Sequence, residues 1–307
     1  MTTIMLANPY NLKRIQFPVI VSEKLDGVAA DFYVPKKSNS GDVLVRSRQD
    51  EPILSVQHIQ DWLGGKLPRG AHLICELYIP QTPFKDISGK VRSHDDQPDL
   101  VAYVYDFYME GEEDTTYKAR MKRFAQLMGK HLSPKNDWMV PVRIIPGNQA
   151  KNEVELEKNV AKISKTNPNA EGAVVRMLEG PDSLYRIGKR SHGMMKRKIT
   201  ATADLRVVAF EEATSEDGKP LGMIGRIHVA MDAGVISDEK NDFTDHVVIG
   251  AGPGKLTHAE RRDIFNHPKK YIGRIAEISY MPDPSYKALR EPRFLRWRDD
   301  KNTTNME

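Results

Sequence analysis

Residues 18–34 read PVIVSEKLDGVAADFYV, and Lys24-Leu25-Asp26-Gly27 sits where two strand patterns join. Val19, Ile20 and Val21 form an apolar lead-in, and Gly27 supplies a turn. Residues 29–34 then alternate small, acidic and aromatic side chains as a half-buried strand does. A strand, a turn and a second strand leave the Lys24 amine at the rim of a sheet, where a pocket can form. Lysine is a poor nucleophile at neutral pH because its reference pKa is about 10.4. To attack phosphorus it must shed its proton, through desolvation or neighbouring positive charge. A KxDG tetrapeptide also fits a solvated surface turn, so the decision rests on the rest of the chain.

The chain has 307 residues, 39% hydrophobic and 29% charged, which fits a soluble globular protein of two domains. No apolar run has the length of a membrane span, and the first ten residues lack the charged start and apolar core of a secretory signal. A cytoplasmic location is expected, in a cell or an infected one, with no membrane partner. Cys75 is the only cysteine, which excludes an internal disulfide and a cysteine-rich zinc module. The net charge of +4 is mild but uneven: residues 201–307 hold 16 basic against 18 acidic residues, and residues 1–200 hold 30 against 24. Residues 287–301 nevertheless carry six basic and three acidic residues, a local basic patch.

Residues 43–45 read as a short strand ending at Arg46-Ser47-Arg48-Gln49, and arginine just past a strand can fork two phosphate oxygens. Ile53, Val56, Ile59 and Leu63 then recur at helical spacing. AHLICELYIP, residues 71–80, is a buried-type strand carrying Glu76, and an acid there is costly unless it faces a cavity, a cation or a hydroxyl. Residues 85–99 are polar and read as a mobile loop. DLVAYVYDFYM, residues 99–109, is a second buried-type strand with Tyr103, Tyr105, Phe107 and Tyr108 near its end. Helical patterns cover 116–128 and 152–165, separated by a strand over 138–145. Glu171-Gly172 opens a strand running to Arg176 and would aim Glu171 at the rim that carries Lys24. In Lys196-Arg197-Lys198, alternation puts both lysines on one face, where they repel each other unless an anion lies between them. After Thr200 come five short strand patterns and one helical piece, residues 257–265, as in a small Greek-key barrel of the oligonucleotide-binding type.

In that order the pieces resemble the ATP-dependent polynucleotide ligases, members with the RNA capping enzymes of the covalent nucleotidyltransferases. The resemblance covers nearly all of the chain. EKLDG, residues 23–27, resembles the motif of the nucleotidylated lysine, and SRQ, residues 47–49, the motif whose arginine, here Arg48, touches the nick phosphate. CEL implies Glu76 at the ribose; YDF implies Tyr105 against the adenine face with Asp106 beside it. EGAVVR implies Glu171 at the metal and phosphate position, KRSHGMMKRK puts Lys196 and Lys198 on the α-phosphate, and the final RDDK supplies Arg298 and Lys301. Residues 117–120 resemble a helix motif whose arginine, Arg120, supports the pocket. The KRSH lead-in and the tail resemble DNA ligases more than capping enzymes or RNA ligases, the two alternatives kept beside a non-catalytic DNA-binding barrel.

The resemblance implies an α+β fold. A nucleotidyltransferase (ATP-grasp-like ligase) domain of antiparallel sheets with flanking helices would cover 1–200, and an OB-fold β-barrel 201–307, with a hinge near 199–203. It implies Lys24 as the catalytic nucleophile, ATP as the nucleotide, and Mg2+, replaceable by Mn2+, at Glu171 and Glu76. The nucleotide would meet Glu23, Lys24, Asp26, Arg48, Glu76, Tyr105, Glu171, Arg176, Lys196, Lys198, Arg298 and Lys301. A monomer would seal the 3′-hydroxyl and 5′-phosphate of nicked duplex DNA through lysyl-AMP and an adenylated 5′ end. Arg46, Arg48, Lys90, Arg92, Lys255, Arg290 and Arg293 would grip the duplex, from loops 85–99 and 249–258 and the basic tail, while the acidic stretch 231–245 is a solvated insertion. The single cysteine and the 23 residues ahead of Lys24 favour ATP over NAD. Two positions depart from the pattern: Ala29 stands where the family often has arginine, and Arg176 where lysine is commoner.

Overall fold

The computed structural model describes residues 3–37, 41–132, 140–167, 170–231, 248–282 and 289–306. The chain divides into two units, Met1–Lys198 and Ile199–Glu307. In the first, the order is β1 (Leu6–Pro9), β2 (Val19–Lys24), β3 (Val28–Tyr33), β4 (Leu44–Ser47), α1 (Gln57–Leu63), β5 (Ala71–Tyr78), α2 (Phe84–Val91), β6 (Val101–Met109), α3 (Tyr117–Met128), β7 (Val142–Ile144), β8 (Gly147–Ala150), α4 (Glu153–Thr166), β9 (Gly172–Met177) and β10 (Arg190–Lys198). These strands build two five-stranded sheets, ordered β1-β10-β9-β2-β8 and β4-β3-β5-β6-β7. Most pairings are antiparallel, as expected, but β1 runs parallel to β10 and β6 parallel to β7, so both sheets are mixed at an edge.

Each sheet is covered on both sides, which is why its central strands read as near-continuous apolar runs. Leu156 and Val160 of α4 pack on Val19, Val21, Val175 and Met177 of the first sheet. On the second sheet Phe32, Leu73, Cys75 and Leu77 bury against Ile59, Leu63, Ile87, Val91 and Phe124 of the three other helices. Between the sheets lie Ile4, Met5, Ile74, Tyr108, Tyr185 and Met194. The stretch 18–34 is therefore not a hairpin. β2 pairs with β8 and β9, β3 with β4 and β5, and residues 25–27 carry the chain from one sheet to the other.

Part of the expected mobile loop is helical: Ile87 and Val91, four residues apart, bury their side chains and hold α2 against the sheet. Of the strand expected over 138–145, residues 140–145 are described and β7 lies among them; Trp138 lies outside.

The second unit contains β11 (Ala201–Thr214), β12 (Pro220–Ala230), β13 (Ile249–Ala251), α5 (His258–Asn266), β14 (Ile275–Met281), β15 (Arg290–Trp297) and β16 (Asn305–Met306). The sheet order is β13-β12-β11-β14-β15, with β16 alongside β11. Its two edges meet at Gly252, whose N–H donates to the Pro292 carbonyl at 2.9 Å and whose carbonyl accepts from the Phe294 N–H at 3.0 Å. Five strands bent around Leu205, Val207, Ile227, Val229, Ile278 and Phe294, with a helix after the third, form the OB-fold. α5 starts at a capping box: Thr257 and Glu260 each accept a hydrogen bond from the other's backbone. Residues 232–247 and 283–288 lie outside the described set, and with them most of the acidic stretch and Lys287. Among the described residues no helix is long and apolar enough to cross a membrane.

Candidate active site

The pairing of β10, β9 and β2 lays out the site in rows. Lys198, Gly172 and Lys24 stand side by side; the next row inward is Lys196, Val174 and Ser22, and the third is Met194, Arg176 and Ile20. Alternation turns all three rows toward the facing sheet, since the intervening Ala173, Val175 and Met177 pack under α4. A Cβ on Gly172 would stand 2.1 Å from the Arg197 carbonyl oxygen, so the row must have glycine at its centre, and the two lysines flank bare backbone. Glu171, just ahead of β9, accepts a hydrogen bond from Lys24 Nζ on Oε2, and its Oε1 lies 3.5 Å from Lys198 Nζ. Burial, then the charges of Lys198, Lys24 and Arg190, holds the Lys196 ammonium below its usual range. Three ammonium groups thus gather around one carboxylate, an excess of positive charge suited to a polyanion.

The opposite wall comes from the second sheet. A Cβ on Gly27 would lie 2.3 Å from the Leu77 carbonyl oxygen and 2.9 Å from Glu76 Cγ, so only glycine lets this turn press onto β5. Burial pushes the Glu76 carboxyl up to about 7; Lys24 and the hydrogen bond from the Gly27 N–H oppose it, while Glu171 and Asp26 reinforce it. Lys24, Asp26, Glu76 and Glu171 therefore form one electrostatic group.

A bulge shapes the third wall. Val104 pairs with Cys75 and Asp106 with Ile74, which leaves Tyr105 without a partner. Simple alternation would send Tyr105 and Asp106 to opposite faces; the bulge turns both inward. Asp106 accepts from Arg120 Nε at 2.9 Å, Arg120 Nη2 at 3.0 Å and Arg176 Nη1 at 3.2 Å. The Arg176 guanidinium lies 4.9 Å from the Tyr105 ring centre and 5.2 Å from that of Tyr117. Arg176 is thus buried as a support for Tyr105, not open in the cleft.

The other expected residues divide. Glu23 alternates away from Lys24 and accepts from Asn167 Nδ2 at 2.7 Å. Arg46 is engaged by Asp31 at 3.3 Å and Asp50 at 3.0 Å, with its guanidinium 4.3 Å from the Tyr33 ring centre. Arg48, in the turn after β4, is exposed and makes no ion pair among the described residues. Lys90 pairs with Asp99 at 2.8 Å and Arg92 Nε donates to the Ser88 carbonyl at 3.0 Å; α2 and its C-cap lie on the face of the second sheet turned away from the lysines. In the second unit Lys255 and Arg293 are exposed and Arg290 lies at the start of β15. Arg298 and Lys301 both meet Asp204, a buried acid that the sequence pattern, a plain strand, gave no reason to single out.

No group of three or more His, Cys, Asp or Glu side chains gathers to hold a metal among the described residues. Glu76 and Glu171 do offer hard carboxylate oxygens beside the lysine cluster, which fits a Mg2+ ion that keeps waters and phosphates as its other ligands.

A lysine set between carboxylates and a lysine pair in the cleft of two sheets, on a chain whose second unit is an OB-fold, is the arrangement that the resemblance to the covalent nucleotidyltransferases implies. Residues 4–198 match the family described as ATP dependent DNA ligase domain, and the chain belongs to that family. DNA ligase 2 of the archaeon Methanosarcina mazei is 28% identical over 144 residues, 41% of this chain and 24% of the relative. The chain thus spans about a quarter of the length of the curated relatives it matches. Among solved structures, Pmar-Lig_Pre superposes with a TM-score of 0.76 at 20% identity, over 97% of this chain and 68% of the other. A Lig E DNA ligase superposes with a TM-score of 0.68 at 19% identity, over 97% and 100%. These structures share the fold.

Proposed function

We propose that the chain is an ATP-dependent DNA ligase that seals nicks in duplex DNA, with residues 1–200 as the adenylation domain and 201–307 as the OB domain. The observation that carries this is the row of Lys24, Gly172 and Lys198 with Glu171 across its end, inside a domain of the ligase family. The deprotonated Lys24 amine attacks the α-phosphorus of ATP in line; the bond to the bridging oxygen breaks, and pyrophosphate leaves with the electron pair. The attacking nitrogen then gives one proton to water and keeps the other, leaving an N–H phosphoramidate bond to AMP. Lys196 and Lys198 offset the charge on the phosphates, Glu76 receives the ribose and Tyr105 lies against the base. Bound at Glu171 and Glu76, Mg2+ or Mn2+ would neutralise phosphate charge.

AMP then passes to the 5′-phosphate of the nick with cleavage of the P–N bond, and the 3′-hydroxyl attacks that phosphate and expels AMP. Arg298 and Lys301 serve the triphosphate during the first step and withdraw for the later ones, with the hinge at 199–203. Arg48, Lys255, Arg290 and Arg293 contact the DNA backbone; the contribution of Arg46, Lys90 and Arg92 is smaller because each already has a partner in the fold. A monomer working in the cytoplasm suffices for this chemistry.

The test is self-adenylation with labelled ATP, followed by addition of nicked DNA or nicked RNA. The native chain retains label through denaturation and joins DNA, and Lys24→Ala retains none. Label on Lys24→Ala overturns the assignment, whereas label from GTP, or joining of RNA alone, redirects it to a capping enzyme or an RNA ligase.

A further inference from the structure

Asp204 lies near the start of β11, 4% exposed, with Glu277 on β14 and Asn305 on β16 as its cross-strand neighbours. A carboxylate buried this deeply is costly unless its charge is met. Arg298 Nη1 stands 3.0 Å from each of its oxygens, and Lys301 Nζ donates to Oδ2. The segment carrying both cations is itself fixed. The Arg298 N–H donates to the Ile275 carbonyl at 2.9 Å, the Lys301 N–H to the Arg298 carbonyl at 3.0 Å, and Arg206 Nη2 to the Asn302 carbonyl at 2.8 Å.

The other edge of the Arg298 guanidinium, Nε and Nη2, is the fork that fits two oxygens of one phosphate. Asp300 occupies it, at 3.0 Å and 2.9 Å. The two acids differ in what they can do. The Asp300 side chain is 66% exposed and can turn into water, whereas that of Asp204 is 4% exposed and cannot leave without abandoning two cations.

We propose that Asp204 is a positioning residue for self-adenylation: it anchors Arg298 by one nitrogen and Lys301 beside it, so that a triphosphate can take the Arg298 fork from Asp300 without the side chain having to reorganise. This rests on the reading that Arg298 and Lys301 serve the triphosphate. Asp204 itself touches neither nucleotide nor reacting atoms.

The full chain is compared with Asp204→Asn, Arg298→Ala, Lys301→Ala and the Asp204→Asn/Arg298→Ala double variant. Two rates are read: single-turnover adenylation against ATP concentration, and sealing of a nick that already carries AMP on its 5′-phosphate. Asp204→Asn lowers the maximal adenylation rate by about tenfold or more, as misplacement of a remote charge does. It leaves sealing of the adenylated nick within about twofold, because the variant is still folded, and the double variant adenylates more slowly than Arg298→Ala alone, since Lys301 has lost its anchor too, but by less than the product of the two single effects. If Arg298→Ala and Lys301→Ala are impaired while Asp204→Asn adenylates normally, the inference falls and the reading beneath it stands. Should Arg298→Ala and Lys301→Ala adenylate at the native rate, that reading falls as well. Equal loss of both activities in Asp204→Asn assigns Asp204 a purely structural role and overturns the proposal.

Discussion

What distinguishes Lys24 from other lysines is the bare backbone on either side of its charged neighbours. Gly172 and Gly27 each occupy a position where a Cβ would strike backbone, and they let one strand carry two lysines past another and one turn settle on Glu76. The KLDG and EG pairs display these glycines in the sequence, and alternation in KRK displays the shared face of Lys196 and Lys198. The position of Glu76 in an apolar strand likewise marks it as unusual from its neighbours in the chain. Which groups change their acidity is not legible there, because that depends on burial in three dimensions: they are Lys196, moved down, and Glu76, moved up to about 7.

A pH dependence follows. Below about 7 the Glu76 carboxyl is protonated, so if it serves ribose or metal as proposed, the adenylation kcat/KM rises through a midpoint near 7. Glu76→Gln removes this limb, lowers the rate and leaves any limb at higher pH. A limb near 7 that survives in Glu76→Gln would assign it to another group. The same shift sets a stability slope, because the folded carboxyl lies above its ordinary 4.5. Stability from this group is complete below 4.5, is lost as pH rises to about 7, and the loss is absent in Glu76→Gln.

At the scale of elements, the sequence named most strands and helices but not their partners. β2 pairs with β9, whose residues lie about 150 positions further along, a pairing that no local pattern announces. The five barrel strands could be recognised because each is a short apolar run set off by Gly, Pro and charged residues. α2 was hidden because Ser88, Gly89 and Lys90 separate Ile87 from Val91 and give the stretch the look of a loop. The bulge in β6 was equally silent, since it depends on Cys75 and Ile74 of another strand. It brings Asp106 between Arg120 and Arg176 and so ties β6, α3 and β9 together. Asp106→Ala leaves two guanidinium groups buried without their counter-ion, at a cost of about 3–5 kcal/mol. The check is the denaturant midpoint of the full chain; a shift smaller than that of an ordinary surface substitution would show that this bridge is not a structural tie.

For the whole molecule, charge is informative through its distribution. The excess of basic residues lies in the first 200 residues, while the second part gathers six of its sixteen in residues 287–301. The proposed sealing of a nick requires no base to be read, so a grip on phosphates is expected, with counterion release governing affinity. For about six phosphate contacts, affinity for a nicked duplex drops by roughly a thousandfold between about 50 and 200 mM salt. Arg48→Ala lowers the log–log slope by about one. Titration of a labelled nicked duplex at several salt concentrations measures both, and a flat response would contradict a backbone-led interface.

The two sheets of the first unit are also joined in a way that bears on its chemistry. The chain passes between them at residues 25–27 and again at 145–146, and the strands where these passages meet the first sheet, β2 and β8, are neighbours. On the second sheet the same two passages meet β3 and β7, which lie three strands apart, so the sheets are stitched toward opposite edges of that sheet and pinned between by the buried pair of Asp106 and Arg176. The amine of Lys24 and the carboxyl of Glu76 are thereby tied through the chain itself: the link to Gly27 is three residues long, and that glycine is seated on β5.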